Sequence, residues 1–420
     1  MKHIALIALL FCFANSAWGA GYQLRYQGAE SMGTAFSSAG SYGQSLSSIY
    51  YNPGLFLTQD KDQAVALELI AIYPTKAEFT SASGQVTDDY ASTSLSGGLY
   101  YGYKVDDETA ITVSITTPWG TSSDYDAGWD GRYNALKTDL AAINMQPVMT
   151  KKVSDKFMFS IGPQIQYMKG TLGRASLIGT NDLENEFSGD SLSVGGILAL
   201  TYTPSEKTTI GFNYTSRVKH SLKGDLKFTP AALAAAVPAP FGGPFVDSND
   251  ADTEIVTPDV FTLSASHVVS DKLIGHFSAS YTNWSVFKDL TLNANNVLAG
   301  GVAPISSVIP QNWEDTYMLA LGSTYHMSEK MVLRGGVSYE TGAVDNAFRT
   351  PRTQDADRIG LGLGASFALG VVNLDLGLNH IIYTSDIDLA IADNLPTAPG
   401  VTGNYDTSAT LLRMGLEYKF

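Results

Sequence analysis

The sequence has little charge and almost no cysteine for its 420 residues. Only 16% of the residues are charged, whereas an average soluble domain has about 25%. The single cysteine, Cys12, excludes a disulfide framework and a zinc site built from cysteines. Lysine and arginine number 26 against 41 aspartates and glutamates. Because phosphate contacts need clustered basic side chains, we expect no nucleic acid as a partner.

Long apolar runs are also missing, except at the N terminus. There, a basic start and an apolar run over residues 4–14 are followed by small residues spaced as a cleavage site requires. This pattern predicts a signal peptide over residues 1–19, which would remove Cys12. The alternative, a lipoprotein anchored through Cys12, is disfavoured by the bulky Phe11 before it. The run is shorter than the about 20 residues of a membrane-spanning helix, and no later apolar stretch is as long. Any membrane span must therefore consist of strands.

The chain does contain apolar and polar residues that alternate with a period of two. In residues 408–420 one face is mostly apolar, with Leu412, Met414, Leu416, Tyr418 and Phe420, and the other is mostly polar. Residues 359–369 and 372–379 alternate in the same way. Period two with one apolar face is typical of β-strands, in a soluble sandwich as much as in a membrane barrel.

Short polar turns that alternate with long loops favour the membrane barrel. The six short turns are Asp106-Asp107, Ser154-Asp155, Ser205-Glu206, Ser270-Asp271, Ser328-Glu329 and a break at Gly370. The seven longer segments are 76–89, 119–137, 174–189, 227–253, 294–311, 343–356 and 392–404. Short periplasmic turns and long outer loops are typical of bacterial outer-membrane proteins. The sequence therefore predicts an all-β, transmembrane, antiparallel β-barrel of about 14 strands, with Tyr100, Tyr101 and Tyr103 in an aromatic girdle.

The residues that follow the signal peptide do not read as strands. Residues 20–61 are rich in glycine, serine and alanine, and they could form a floppy tail or a plug. A barrel of this size has a lumen that leaks unless something fills it, which favours a plug. We therefore divide the chain into a signal peptide (1–19), an N-terminal hatch inside the lumen (20–61) and the barrel (62–420).

A series of motifs resembles one family along essentially the whole mature chain. These are the start AGYQL, Asn52-Pro53-Gly54, and the segments 129–140, 214–228, 281–290, 313–340, 355–367 and 411–420. Together they resemble the FadL family of outer-membrane transporters for long-chain fatty acids and hydrocarbons, which includes toluene-uptake proteins. The family usually has Asn-Pro-Ala where this chain has Gly54. The resemblance implies passive uptake of a fatty acid, alkane or aromatic compound in the outer membrane of a Gram-negative bacterium, with hatch rearrangement at residues 52–54.

Two further partners follow from the barrel itself. Outer-membrane lipid would surround the wall. The chain ends on Phe420, as the final strands of such barrels usually do, so the barrel-assembly machinery is expected to bind there.

A candidate exit lies at Thr117-Pro118-Trp119-Gly120, which ends the third predicted strand. A closed barrel wall forbids sideways exit, and Pro118 lacks the N–H that the hydrogen-bond ladder needs. The resemblance implies that a kink in this strand makes a lateral opening. The alternative is that Pro118 only ends a strand at a loop.

Two outer loops are unusually apolar. One contains Phe228, Leu233, Val237, Phe241 and Phe245, and the other contains Val302 and Ile305. The resemblance implies a hydrophobic capture groove for substrate at the outer mouth. The alternative is that the loops bury each other as a lid.

Inside the barrel, Arg174 lies where the family places an arginine against a fatty-acid carboxylate. The alternative is a lumen arginine balanced by acidic residues of the wall. The family's fatty-acid members also have a lysine just before the tenth strand, where this chain has Ile309-Pro310-Gln311. This departure makes an uncharged hydrocarbon or aromatic ligand more credible.

Catalytic and metal motifs are weak. No GxSxG elbow occurs, and the histidines beyond the signal peptide lack metal-site spacing, so we expect no enzyme, no catalytic residue, no cofactor and no metal. The acidic stretch 247–252 could hold Ca²⁺ loosely, but a solvated loop is the simpler reading. The alternative function is an adhesin or structural barrel with hydrophobic loops, and a barrel lipase ranks below it.

Overall fold

The wall of the molecule is one antiparallel sheet that closes on itself. The computed structural model describes residues 20–88, 90–238, 244–298, 304–393 and 397–420. The predicted signal peptide, Phe241 and Val302 lie outside these residues. In the described part of the chain, no helix has the length and apolarity to cross a membrane.

The strands are β1 (Gln63–Ser81), β2 (Val86–Asp88), β3 (Ser94–Asp106), β4 (Thr109–Asp124), β5 (Lys137–Ser154), β6 (Phe157–Ile178), β7 (Asn181–Ser205), β8 (Thr208–Thr215), β9 (Val218–Thr229), β10 (Ser248–Thr257), β11 (Val260–Ser270), β12 (Leu273–Thr282), β13 (Asp289–Ala294), β14 (Ile305–Pro310), β15 (Thr316–Ser328), β16 (Met331–Glu340), β17 (Arg358–Leu369), β18 (Val372–Tyr383), β19 (Ile387–Ile391) and β20 (Val401–Lys419).

These twenty segments form a closed barrel of fourteen wall strands. The two numbers differ because five wall strands are each interrupted and because β2 only extends the edge of β1. The interrupted strands are β8 with β9, β10 with β11, β12 with β13, β14 with β15, and β18 with β19. The last strand pairs with the first, from Ala64 opposite Lys419 to Ser81 opposite Gly403, and so closes the wall. The predicted antiparallel barrel is confirmed, and each short turn lies within one residue of its predicted place.

The segment 174–189, expected to be a loop, is a strand hairpin instead. β6 continues to Ile178 and β7 begins at Asn181, with their pairing unbroken between them. The inward side chains Ile178, Leu183 and Phe187 are buried. Their burial extends the apolar interior to the long-loop rim, which explains why the strands do not stop earlier.

The wall exposes apolar side chains and buries charged ones, which is the opposite of a soluble protein. In β20, Leu412 and Leu416 are 53% and 47% exposed, whereas Arg413 and Glu417 are 3% and 1% exposed. Apolar side chains therefore point outward and charged ones inward, as a lipid environment requires. The girdle prediction is wrong for Tyr100, which is fully buried and donates its hydroxyl hydrogen bond to the Gln27 carbonyl inside the barrel.

Residues 20–62 lie in the lumen. They include helix α1 (Ala29–Gly33) and the 3₁₀ helices Leu46–Tyr50 and Pro53–Thr58. Their backbone and side chains hydrogen-bond to inward-facing residues all round the wall: Glu68 in β1, Thr201 in β7, Ser278 in β12 and Glu417 in β20. The boundaries 20–61 and the role as a hatch stay predictions.

Wall glycines let α1 approach the sheet. A Cβ at Gly362 would lie 2.5 Å from the Ala35 nitrogen, and one at Gly364 would lie 2.9 Å from the Gly33 Cα. Because backbone atoms cannot move away as flexible side chains do, only glycine fits at these positions.

A second helix, α2 (Ala231–Ala235), lies in an outer loop.

Candidate functional site

The ladder of backbone hydrogen bonds is interrupted between β3 and β4. Their pairing ends at Leu99 opposite Ile115, although β3 begins at Ser94 and β4 continues to Asp124. On its other side β4 pairs with β5, with a register shift between Thr116 and Trp119. Pro118 lies within this shift and cannot donate a backbone hydrogen bond. The wall therefore has a break beside residues 116–120.

The N-terminal segment covers this break from inside. The Leu24 N–H donates to the Pro118 carbonyl at 2.8 Å, and the Gly120 N–H donates to the Tyr22 carbonyl at 2.9 Å. The Gln27 side chain donates to the Thr117 carbonyl at 3.0 Å. The groups that β3 leaves unpaired are thus satisfied by residues 22–27, as buried backbone groups require. Across the break itself, the Ser96 and Thr117 hydroxyls are hydrogen-bonded to each other.

Five aromatic side chains, which we call the aromatic cluster, surround the covered break: Tyr22, Trp119, Trp284, Phe287 and Trp313. The Tyr22 ring lies 4.7 Å from Trp284, 5.5 Å from Trp313 and 5.9 Å from Phe287, between ring centroids. Its hydroxyl donates to the Val256 carbonyl at 2.5 Å. The pairs with Trp284 and Phe287 are edge-to-face. Such pairs each contribute about 0.5–1.5 kcal/mol beyond burial, so Tyr22 anchors the N-terminal segment.

A narrow apolar cavity lies next to the aromatic cluster, on its long-loop side. We call it the outer cavity. Its volume is about 40 Å³, and its lining includes Tyr22, Leu140, Leu172, Phe187, Phe287 and Trp313. Its polar lining consists of Asp139, Gln311, Arg352 and four threonines. Ligand pockets usually measure about 300–1,000 Å³, so a long ligand fits only after side chains move.

The predicted apolar loop residues pack against each other and belong to the same apolar core as residues that line this cavity. Phe228 stacks on Phe245 at 5.1 Å, and Phe245 forms a backbone bridge with Leu298 of the next apolar loop. Phe228 and Val237 are buried, while Leu233, Phe245 and Ile305 are partly buried against the same apolar core. This packing is what we expect if the two loops bury each other as a lid. The role of these residues in substrate capture stays a prediction.

Arg352 lines the outer cavity, and Arg174 lies close enough to Arg352 to interact with it electrostatically. Arg174 shares the inward face of β6 with Leu172, and its nearest polar partner is the Ser307 hydroxyl at 3.4 Å. Arg352 donates to the Gly173 carbonyl, next to Arg174, at 3.2 Å. Burial and the Arg174 charge lower the pKa of Arg352 to about 9. Gln311, in the place of the family's lysine, is buried and accepts from the Trp313 indole at 3.1 Å.

The Asn52-Pro53-Gly54 motif fixes residues 52–58 of the N-terminal segment against the wall. The Asn52 side chain caps the helix Pro53–Thr58 by accepting from the Gly54 N–H at 3.1 Å, and it donates to the Gly40 carbonyl and the Thr201 hydroxyl. A Cβ at Gly54 would lie 2.5 Å from the Thr201 hydroxyl oxygen. Alanine at this position would therefore force Thr201 to shift.

The described residues contain no group of three or more histidine, cysteine, aspartate or glutamate side chains placed to hold a metal ion. In the acidic stretch 247–252, Asp247 accepts from the Phe228 N–H, and Asp252 accepts from the Asn293 side chain. These carboxylates join neighbouring chain segments.

Comparison with known proteins identifies the family. The family model described as "Outer membrane protein transport protein (OMPP1/FadL/TodX)" matches residues 10–420. The chain belongs to this family. It is an outer-membrane protein of the Gram-negative type, and the family is one of transport proteins rather than enzymes.

Three relatives of this FadL-type chain illustrate the likeness. The long-chain fatty acid transport protein of Escherichia coli O6:H1 (strain CFT073) is 23% identical, and the match covers 90% of each chain. The crystal structure of a Pseudomonas aeruginosa FadL homologue matches with a TM-score of 0.82 at 21% identity, over 96% of this chain and all of that one. The Pseudomonas putida toluene transporter TodX matches with a TM-score of 0.71 at 12% identity, over 96% and 99%.

Sequence reasoning missed four important side chains of this FadL-family site: Tyr22, Trp284, Trp313 and Arg352. The first three lie within motifs that carry the family resemblance, so an unexplained aromatic residue in such a motif was the available signal. Arg352 lies in a loop without periodicity, and only the folded structure brings it to the outer cavity.

Proposed function

We propose that this chain takes up hydrophobic molecules passively across the outer membrane and releases them sideways into the bilayer. The observation that carries the proposal is the break beside residues 116–120, which adjoins an apolar cavity and is covered from inside by the N-terminal segment. The relatives named for fatty acid and for toluene transport support hydrophobic solutes as the substrate class.

A sideways route answers a physical problem. An apolar solute partitions poorly into a water-filled channel, so it needs apolar surfaces from the outer mouth to the lipid. The packed loop residues Phe228, Leu233, Val237, Phe245 and Ile305 would receive the solute, and the proposed groove also includes Phe241 and Val302. The outer cavity would hold it, and the break in the wall would release it.

Tyr22 links the cavity to the break. Its ring lines the outer cavity, and its carbonyl accepts a hydrogen bond from Gly120 at the break. A ligand too large for the cavity displaces this ring, and the displacement would pull residues 22–24 away from β4. Binding would thus favour the open break, because the ligand fits only the state in which Tyr22 has moved. The hydrogen bond between Asn52 and Thr201 would then either keep the rest of the hatch in place or break as the hatch rearranges at residues 52–54.

The packing of the outer loops favours transport over the adhesin alternative. Phe228 and Val237 are 8% and 2% exposed, so they offer little apolar surface to a host or matrix partner. The wall itself faces outer-membrane lipid. The exposed Phe420 side chain remains available for the barrel-assembly machinery.

Uptake of labelled palmitate by cells that lack their own fatty acid transporter tests the proposal. Expression of this chain should restore uptake, and Gly120→Leu should reduce it several-fold, because Gly120 is buried where the N-terminal segment meets β4. Gly128→Leu is the matched control, since a Cβ there meets no atom within 4 Å. Unchanged uptake in Gly120→Leu, with the variant folded in the membrane, would contradict lateral release at this place.

A further inference from the structure

A large apolar groove lies on the outer surface of the wall. Its volume is about 760 Å³, within the range of about 300–1,000 Å³ that is usual for ligand pockets. The lining comes from five neighbouring strands: Leu95 and Ser96 of β3, and residues 69–71 of β1, 412–414 of β20, 376–378 of β18 and 363–365 of β17. We call it the lipid-facing groove. Leu363 and Leu412 are 63% and 53% exposed, so the groove opens toward the bilayer and not toward the lumen.

The lipid-facing groove runs across the strands rather than along them. Its lining residues are direct partners in the sheet: Leu95 lies opposite Ala71, Ala71 opposite Leu412, Leu412 opposite Leu378, and Leu378 opposite Leu363. Because neighbouring strands are about 4.8 Å apart, five strands span roughly 19 Å. The groove is therefore long and narrow, as an extended alkyl chain is.

Two alanines leave the space between the leucines of the groove. Ala71 shares the outward face of β1 with Leu69, and Ala365 shares that of β17 with Leu363. Each alanine presents a single methyl group where a leucine would fill the space. The width of the groove therefore depends on these two small side chains.

One end of the groove meets the break in the wall. β3 pairs with β4 only from Leu99 onward, so Leu95 and Ser96 belong to the part of β3 that has no partner on this side. Ser96 also carries the hydroxyl that is hydrogen-bonded to Thr117 across the break. A solute that leaves through the break would therefore enter the groove directly.

The direction of the groove favours a free solute over a membrane lipid. Strands of outer-membrane barrels are tilted by about 35–45°, so a groove perpendicular to them lies roughly 45–55° from the membrane normal. A lipid chain is fixed by its head group at one membrane surface and would have to bend to follow the groove. A solute without such an anchor can lie along it. An unfilled groove would forfeit the dispersion contacts of its leucines.

We propose that the lipid-facing groove is an exit site, which holds a long apolar solute after the break and before the solute mixes with the bilayer. This inference rests on the proposed function and adds a last step to it. The alkyl chain lies across β3, β1, β20, β18 and β17. Since lipid is as apolar as leucine, packing rather than exclusion of water holds the chain there. Occupancy therefore depends on the shape of the groove, and bulky side chains at Ala71 and Ala365 abolish it.

Photolabelling of the full-length barrel in lipid vesicles tests the proposal. The two probes are a palmitate analogue and a phosphatidylcholine whose acyl chain carries the same diazirine group. By mass spectrometry, the palmitate analogue should label residues 69–71 and 363–365 several-fold more than residues 261–265, an outward-facing part of β11. The phospholipid should label these segments alike. Ala71→Phe combined with Ala365→Phe should reduce the palmitate label in the groove several-fold and slow palmitate uptake by cells.

Ala265→Phe is the matched control. Ala265 shares the outward face of β11 with Leu263 and does not line the groove. This variant should leave both the groove labelling and the uptake unchanged. The difference in electrophoretic mobility between unheated and heated samples confirms that each barrel is folded.

The outcomes separate the exit site from the proposed function. Equal labelling of the groove by both probes, or palmitate labelling that survives the double variant, would overturn the exit site. Dimers cross-linked through an unlabelled groove would also overturn it and make this face an interface between copies of the chain. Each of these results, with palmitate uptake intact, leaves hydrophobic uptake standing. Absence of uptake by cells that express the wild type would overturn the proposed function itself.

Discussion

The lumen contains two regions that solve the problem of buried charge in opposite ways. The hatch region, formed by α1, the two 3₁₀ helices and the wall they touch, neutralises its charges in pairs such as Glu30–Arg334 and Glu68–Arg413. The outer cavity, with the aromatic cluster beside it, is lined mostly by apolar side chains and holds Arg352 without a carboxylate. Paired charges hold a part in place, whereas an unpaired one leaves a position for a ligand.

The hatch region and the segment beside the break also differ in how they are packed. In the hatch region, wall glycines bring backbone against backbone with no room to spare. Beside the break, the N-terminal segment is held by the Tyr22 ring, by hydrogen bonds to β4 and to Asp355, and by the ion pair between Arg25 and Glu340. We therefore expect residues 22–24, which precede the ion pair of Arg25, to move before the hatch region does.

Loss of a hatch ion pair should have the largest effect on stability. Arg334→Met leaves the Glu30 carboxylate buried without its partner, 2.9 Å away in the native protein. We expect a loss of about 3–5 kcal/mol in the free energy of unfolding, measured by urea titration in lipid vesicles. Lys76→Met, which breaks the exposed pair with Asp406, is the control and should have little effect. Equal losses in both variants would mean that the hatch pairs do not hold the fold.

A glycine substitution under α1 should have the next largest effect. Gly362→Val places side-chain atoms against the backbone of Met32 and Ala35, so we expect a loss of about 1–3 kcal/mol. A displaced hatch should also raise the ion conductance of the barrel in a planar bilayer. Gly335→Ala is the control, since its Cβ would meet nothing closer than 3.9 Å. Conductance as low as that of the control would show that the hatch does not seal the lumen here.

Removal of the unpaired cation should have the smallest effect on stability. Arg352→Met leaves no carboxylate without a partner, and the cost of its lost hydrogen bonds is offset by release of a buried charge. We expect a change of less than about 1 kcal/mol by the same urea titration. A loss as large as that of Arg334→Met would place Arg352 with the structural arginines and erase the contrast between the two regions.

Most of the fold could be predicted from the sequence, because the alternation in β20 and the six short turns are local features. The extent of β6 and β7 could not, since their polar tips resemble a loop until the burial of Ile178 and Leu183 is known. Tyr100 was placed on the wrong face because neighbouring tyrosines were grouped by composition, whereas period two separates Tyr100 from Tyr101 and Tyr103.

The site was less predictable than the fold. Pro118 lies at the interruption of the ladder, and its missing N–H can be read from the sequence, but its role as a gate stays a prediction. The sequence could not predict that the N-terminal segment covers the break. No local pattern shows that Tyr22 and Leu24 contact a strand almost a hundred positions away. Arg352 depends in the same way on which loop folds inward. The signal peptide at 1–19, the hatch boundaries and the capture residues remain predictions.

The central claim is that solutes leave through the break between β3 and β4, and a disulfide across it tests this most directly. Ser96 and Thr117 are buried and their hydroxyls touch, so Ser96→Cys with Thr117→Cys should form a disulfide that ties the strands together. We expect the oxidised double variant to lose palmitate uptake and to regain it when the disulfide is reduced. Each single variant, which cannot form the disulfide, should keep its uptake. Full uptake by the oxidised protein would contradict lateral release through this break.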